Sequence, residues 1–222
     1  MRWLRLAVMV ATCTAFAAQA NDIVQVLHES AQRRLDAMPV APDGPRAQVV
    51  RDSFELLRRA VAAAKTVELR VVTGSTVAET LDGRVVVANE ALADVPEGVR
   101  LFVLAHELGH VQQGHWRQVG DLYKRFVPGE VAPQTTDPVA GPLGRAASAQ
   151  AHRHEFEADA FALQALRTLG RTPDDAYAAV RHQGMQQDSA THPGTRKRLA
   201  SLRAAEAGDL TASVGAGQPQ AD

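Results

Sequence analysis

The chain reads as an α+β protein, mostly helical, with a small β-sheet set beside one buried helix. Three observations lead there. Apolar residues recur at helical spacing over most of residues 21–207. Two short β-rich runs, 67–72 and 84–88, are bounded by the turn formers Gly74 and Asp82-Gly83. The third is Leu104-Ala105-His106-Glu107-Leu108-Gly109-His110, a His-Glu-x-x-His pattern inside an apolar run of helical period.

The 222 residues suit one domain with a sizeable core. A formal charge of −1 gives no basic surface for nucleic acid and none for an acidic membrane. Met1-Arg2-Trp3-Leu4-Arg5 is a basic start, an apolar run follows to Phe16, and Ala18-Gln19-Ala20 places small residues where a signal peptidase reads. Residues 1–20 are therefore read as a signal peptide, and the product as exported. Cleavage removes Arg2, Arg5 and the single cysteine, Cys13. The mature chain is then mildly acidic and has no disulfide or thiolate ligand. Lipidation at Cys13 is the competing reading, weakened by Thr12 before it. No later segment approaches eighteen apolar residues, so no transmembrane span is expected in the mature chain.

In order, a first helix is expected over 22–38, with Ile23, Val26, Leu27, Ala31 and Leu35 on one face and Pro39 beyond. A turn-rich linker, 39–45, leads to a second amphipathic helix over 46–65. The two β-rich runs follow and are expected to pair. Asp94-Val95-Pro96-Glu97 then signals a helix start, with a capping carboxylate and a first-turn proline. Residues 116–145 break the pattern with four prolines and several glycines, and 127–145 is read as a candidate gating loop. A long helix over 146–169 is closed by Gly170, a shorter one runs from Thr172-Pro173 to about His182, and a last one follows Thr191-His192-Pro193. From Gly208 to 222 no hydrophobic pattern remains, and a disordered tail is expected.

Two histidines four apart project from one side of a helix, so both imidazoles can reach one Zn²⁺. Glu107, beside the first, is placed to take a proton from a metal-bound water. Two satisfied core histidines would be the plain alternative, but a buried Glu107 between them would then lack a partner. A third ligand in the pattern His-x-x-Gly-x-x-His would need Gly at 113 and His at 116, where the chain has Gln113 and Trp116. His115 misses by one place and is read as a surface or supporting residue. Glu155 and Asp159 share a face of the long helix, so that one can ligate while the other buttresses a ligating histidine. His152, one turn earlier, is the rival third ligand, and Glu157 points elsewhere.

His106-Glu107-Leu108-Gly109-His110, followed by Glu155-Phe156-Glu157-Ala158-Asp159, resembles the HtpX, CAAX-prenyl-protease and BepA family of gluzincin zinc metallopeptidases. The likeness extends to Gly83–Leu92 and to Thr191-His192-Pro193. It implies a zincin-like catalytic module with one Zn²⁺ held by His106, His110 and Glu155, and with Asp159 supporting from behind. It implies Glu107 as general base, and His192 near the metal, either helping to hold the oxyanion or closing the site at rest. The membrane helices and the helical repeats of these relatives have no counterpart here. The activity implied is that of a metalloendopeptidase acting on peptides or unfolded proteins of the cell envelope, in periplasmic quality control. The alternative is a zincin-like module that binds exposed peptide edges, as a chaperone does, without cleaving them.

Overall fold

The computed structural model describes residues 22–61 and 66–216, with side chains through 208; the signal read over 1–20 lies outside the described residues. The elements run α1 (Ile23–Asp36), α2 (Pro45–Ala60), β1 (Glu68–Val72), β2 (Ala78–Leu81), β3 (Val85–Asn89), a 3₁₀ turn (Glu90–Asp94), α3 (Glu97–Gln112), α4 (His115–Phe126), the single-turn α5 (Pro133–Thr136), a second 3₁₀ turn (Asp137–Val139), α6 (Ala140–Thr168), α7 (Pro173–His182) and α8 (Thr195–Ala216). The described chain is mostly helical with one small sheet. No helix in it is long and apolar enough to cross a membrane.

The two β-rich runs pair, in parallel, as β1 and β3. Between them in sequence lies a third strand the pattern did not reveal: β2, antiparallel to β3, giving the order β1-β3-β2. Asp82 and Gly83 both adopt positive φ (53° and 65°), the twist that a tight hairpin turn requires, and deliver the chain from β2 into β3. β3 is buried along its whole length because it is central. β2 is an edge strand.

Helix α3 is buried from Gly98 to Gly109, so it is apolar nearly all round rather than striped. Its buried arginine, Arg100, is satisfied by Ser53 Oγ at 2.7 Å and by the carbonyls of Leu92 and Val95 at 3.3 and 3.1 Å. The core joins α2, the sheet, α3, α6, α7 and α8, with Phe54, Leu101, Phe102, Leu104, Leu108, Leu163 and Leu166 at its centre. α3 lies most extensively against α6. At their crossing, a Cβ added to Gly109 would stand 2.9 Å from the Ala158 Cα and 3.1 Å from its carbonyl oxygen. The two backbones meet there with nothing between them.

Several boundaries differ from the sequence reading. α2 stops at Ala60, where Val61 turns extended, and 62–65 lie outside the described residues. Asp94 does not cap α3: Pro96 holds that position without a side-chain cap, and Asp94 pairs with Arg46 instead. The stretch 116–145 is largely helical, holding α4, α5 and the start of α6. α6 begins at Ala140 rather than 146 because Pro142 falls in its first turn, where the backbone N–H has no helical partner to lose. What remains irregular of the 127–145 segment is its beginning. Gly170 (φ 69°) does close α6, with Gly170 N–H on the Arg167 carbonyl and Arg171 N–H on that of Leu166. α8 continues past Gly208, where the tail was expected to start, to Ala216; residues 217–222 lie outside the described residues.

The crossing yields a direct expectation. Gly109→Ala forces two backbones apart and costs about 1–3 kcal/mol of stability, read from urea unfolding. An unchanged midpoint would mean the helices can separate freely at this point.

Candidate metal centre

The α3–α6 crossing brings His106, His110, Glu155 and Asp159, all singled out in the sequence, together. His106 and His110 sit one turn apart on α3; Glu155 faces them from α6. His106 Nε2 lies 3.2 Å from His110 Nε2 and 3.5 Å from Glu155 Oε2, and His110 Nε2 lies 3.4 Å from Glu155 Oε1. Donors at 2.0–2.1 Å from a tetrahedral ion stand about 3.3 Å from one another. The observed separations match that triangle. Glu155 Oε2 is also buried with no hydrogen-bond partner among the described residues. A buried carboxylate that faces two imidazole nitrogens and has one orphaned oxygen is what a divalent ion would satisfy, and this donor set suits Zn²⁺.

Each imidazole is held from behind. His106 Nδ1 lies 2.9 Å from Asp159 Oδ1, so its Nδ1 proton donates to that carboxylate and Nε2 is the nitrogen turned toward Glu155. Asp159 is 0% exposed and is gripped in turn by Arg198 of α8, Nε to Oδ2 at 2.8 Å and Nη2 to Oδ1 at 2.6 Å. His110 Nδ1 lies 2.8 Å from His115 Nδ1, and His115 Nε2 lies 3.0 Å from Glu157 Oε2. Glu157 thus turns toward this cluster, contrary to the sequence reading. Of the two roles left open for His115, the fold gives it the buried, supporting one.

His115, His154 and Glu157 also bring donor atoms within 4.8 Å of one another. They do not make a second centre. The two rings stack face to face, centroids 3.8 Å apart and planes 5° apart. An ion must lie in the plane of each imidazole that ligates it, and no point lies in two parallel planes.

Glu107 is buried at the same site, and its carboxylate Oε2 accepts from the Thr80 hydroxyl of β2 at 2.9 Å. The Thr80 hydroxyl also lies 2.8 Å from the Glu107 carbonyl oxygen. A cleft of about 540 Å³ opens over the donors, walled by β2, by Trp116 and Tyr123 of α4, and by Ala147 and Ala151 of α6. His192 stands at its rim, 63% exposed, with Nε2 3.8 Å from Glu155 Oε1. His152 is not brought to the donors; its Nε2 bonds the Ser189 carbonyl at 2.8 Å. Thr80 and Arg198 were not singled out in the sequence.

The charges are strongly coupled. Burial lowers His106, but the carboxylates of Glu155 and Asp159 outweigh it and raise the imidazole to about 10. Burial raises Glu155, and His106 with His110 overcome that and hold it well below the usual carboxylate range. Asp159 is likewise held low against burial, by Arg198 and His106. His115 and His154 are pushed down to about 4, chiefly by burial.

No family model matches the chain, and no curated protein does. Among solved structures the chain is similar to S. mikatae Ste24p, with a TM-score of 0.45 and 20% identity over 75% of this chain and 51% of that one. The chain spans about half the length of that structure, and the likeness is coarse.

The shifts predict how stability varies with pH when a chelator keeps metal away. His115 and His154 bind protons more readily unfolded, so their contribution is complete above 6.5 and lost as pH falls toward 4. His106 has the opposite sign: its contribution is complete below 6.5 and lost as pH rises through 10. Denaturant midpoints should therefore peak near pH 6.5 and fall on both sides. A midpoint rising steadily from pH 5 to 9 would contradict the arrangement.

Proposed function

We propose that this protein is a zinc-dependent metalloendopeptidase, with His106, His110 and Glu155 as metal ligands and Glu107 as general base. The observation that carries the reading is the triangle of donors at tetrahedral spacing with a buried carboxylate beside it. Bound there, a zinc ion would polarise a peptide carbonyl and lower the pKa of a water molecule. The residues of the chain do the rest. Glu107 accepts the proton of the attacking water and delivers it to the departing amine. Thr80 keeps that carboxylate from swinging away. Asp159, fixed by Arg198, holds His106 in the tautomer that ligates. His192, exposed at the rim, is suited to donate to the oxygen on which negative charge develops.

An extended substrate has a place to lie. The Asn89 amide donates to the Val77 carbonyl at 2.8 Å, and bonded pairs alternate along an antiparallel ladder. Ala78 and Thr80 therefore turn their amide and carbonyl groups to the outer side of β2, where no strand pairs among the described residues. A peptide added along that edge would pass over the donors. The substrates we propose are peptides or unfolded proteins of the cell envelope, met during quality control. Support for that setting comes from the signal-like first twenty residues and the motif resemblance, not from the site.

The free edge and the cleft would equally serve a module that binds peptides without cutting them. Glu107→Gln separates the two. As general base, its loss lowers casein cleavage about 10²–10⁴-fold while the protein keeps its zinc. A wild type that loads zinc and binds extended peptide yet cleaves nothing, with Glu107→Gln indistinguishable from it, would replace the peptidase with the binding module. In the same assay, His192→Ala should keep zinc and lose about 10²–10³-fold in turnover. Unchanged turnover would remove His192 from the machinery.

A further inference from the structure

We infer that His115 is a positioning residue for His110: its Nδ1 accepts a hydrogen bond from His110 Nδ1–H and its Nε2–H donates to Glu157, so that His110 Nε2 presents its lone pair to the metal. The inference rests on the metal-site reading above and extends it to residues that reading does not use.

Counting protons fixes the direction of the chain. One proton at most lies between His110 Nδ1 and His115 Nδ1, which are 2.8 Å apart. An imidazole that ligates through Nε2 carries its proton on Nδ1, so His110 is the donor and His115 Nδ1 the acceptor. A neutral His115 then bears its proton on Nε2, 3.0 Å from Glu157 Oε2, where it meets a carboxylate. The reversed arrangement fails at both ends. With an ion bound, it would put a proton on His110 Nε2, the nitrogen that must offer its lone pair to that ion. It would also set the His115 Nε2 lone pair against the Glu157 carboxylate.

His115 is also held as a positioning group must be. It is 4% exposed, at the first turn of α4, just after Gly114 reverses the chain with φ 65°. Its ring is stacked on His154, which bonds Gln118 Oε1 through Nε2 at 3.1 Å. Both nitrogens and one face are therefore occupied. The two ligating histidines end up with matching outer partners, Asp159 with Arg198 behind His106, and His115 with Glu157 behind His110. The one-residue offset that removes His115 from the ligand set places it here.

The test is zinc affinity, measured on the full chain by competition with a chromophoric chelator, for wild type, His115→Phe and His115→Asn. Phenylalanine keeps a buried ring against His154 but accepts no hydrogen bond; the asparagine Oδ1 can accept from His110 Nδ1. His115→Phe should weaken zinc binding about 10–100-fold, and His115→Asn should recover most of that loss. Equal affinity in wild type and His115→Phe overturns the inference, as does a loss that asparagine repairs no better than phenylalanine. Should neither variant fold, long-range ¹H–¹⁵N correlation spectra of zinc-loaded wild type decide alone. A proton on His115 Nε2 supports the assignment and one on Nδ1 defeats it. A wild type that takes up no zinc sinks the metal reading itself and the inference with it, an outcome distinct from a zinc-binding wild type that is indifferent to His115.

Discussion

Everything at the proposed centre depends on how closely α3 and α6 approach. Gly109 lies between His106 and His110 on α3, and Ala158 lies between Glu155 and Asp159 on α6. With no side chain on one and a methyl on the other, the backbones touch. Only then do two imidazoles and a carboxylate converge to within 3.2–3.5 Å. A larger residue at either position would widen the crossing, and each added ångström exceeds the tolerance of a metal–ligand bond.

That approach buries charge, and the fold is arranged to balance it. Asp159 has no exposure at all and would be costly alone. Arg198 neutralises it from α8 through both oxygens, and His106 bonds Oδ1 as well. Removing one member of such a buried pair typically costs about 3–5 kcal/mol, because its partner is left uncompensated. The last helix is therefore part of the centre, although it contributes none of the proposed ligands. Thr80 plays a similar part from the sheet: β2 sits against α3 closely enough for a hydroxyl to reach the Glu107 carboxylate. The strand edge proposed to receive substrate and the carboxylate proposed to act on it are tied by a single hydrogen bond.

Much of this was legible in the sequence where spacing alone decides geometry. His106 with His110 and Glu155 with Asp159 are i, i+4 pairs, and a helix places such pairs on one face whatever surrounds it. The parallel runs β1 and β3 were visible because they are rich in β-branched residues. β2 was not: Ala78-Glu79-Thr80-Leu81 is too short and too polar to stand out, and its strand character comes from pairing with β3. α4 was obscured by the prolines after it, although Trp116, Val119, Leu122 and Tyr123 recur at helical spacing. Arg198 and Thr80 act across long sequence separations, which no local pattern encodes. A signal for Arg198 existed in retrospect: Thr195, Arg198 and Leu202 are buried together at i, i+3, i+7, so a base on that face needed a buried acid.

The central claim, that two helices hold one ion through His106, His110 and Glu155, is tested most directly by metal stoichiometry. Wild type and Glu155→Ala would be purified side by side without added metal and their zinc content measured by mass spectrometry. The account predicts about one zinc per wild-type chain and almost none in the variant, since two imidazoles alone hold the ion weakly. Zinc retained in full by Glu155→Ala would show that another residue completes the centre. Absence of zinc from a folded wild type that also fails to load it would show that the donor triangle is not a metal site.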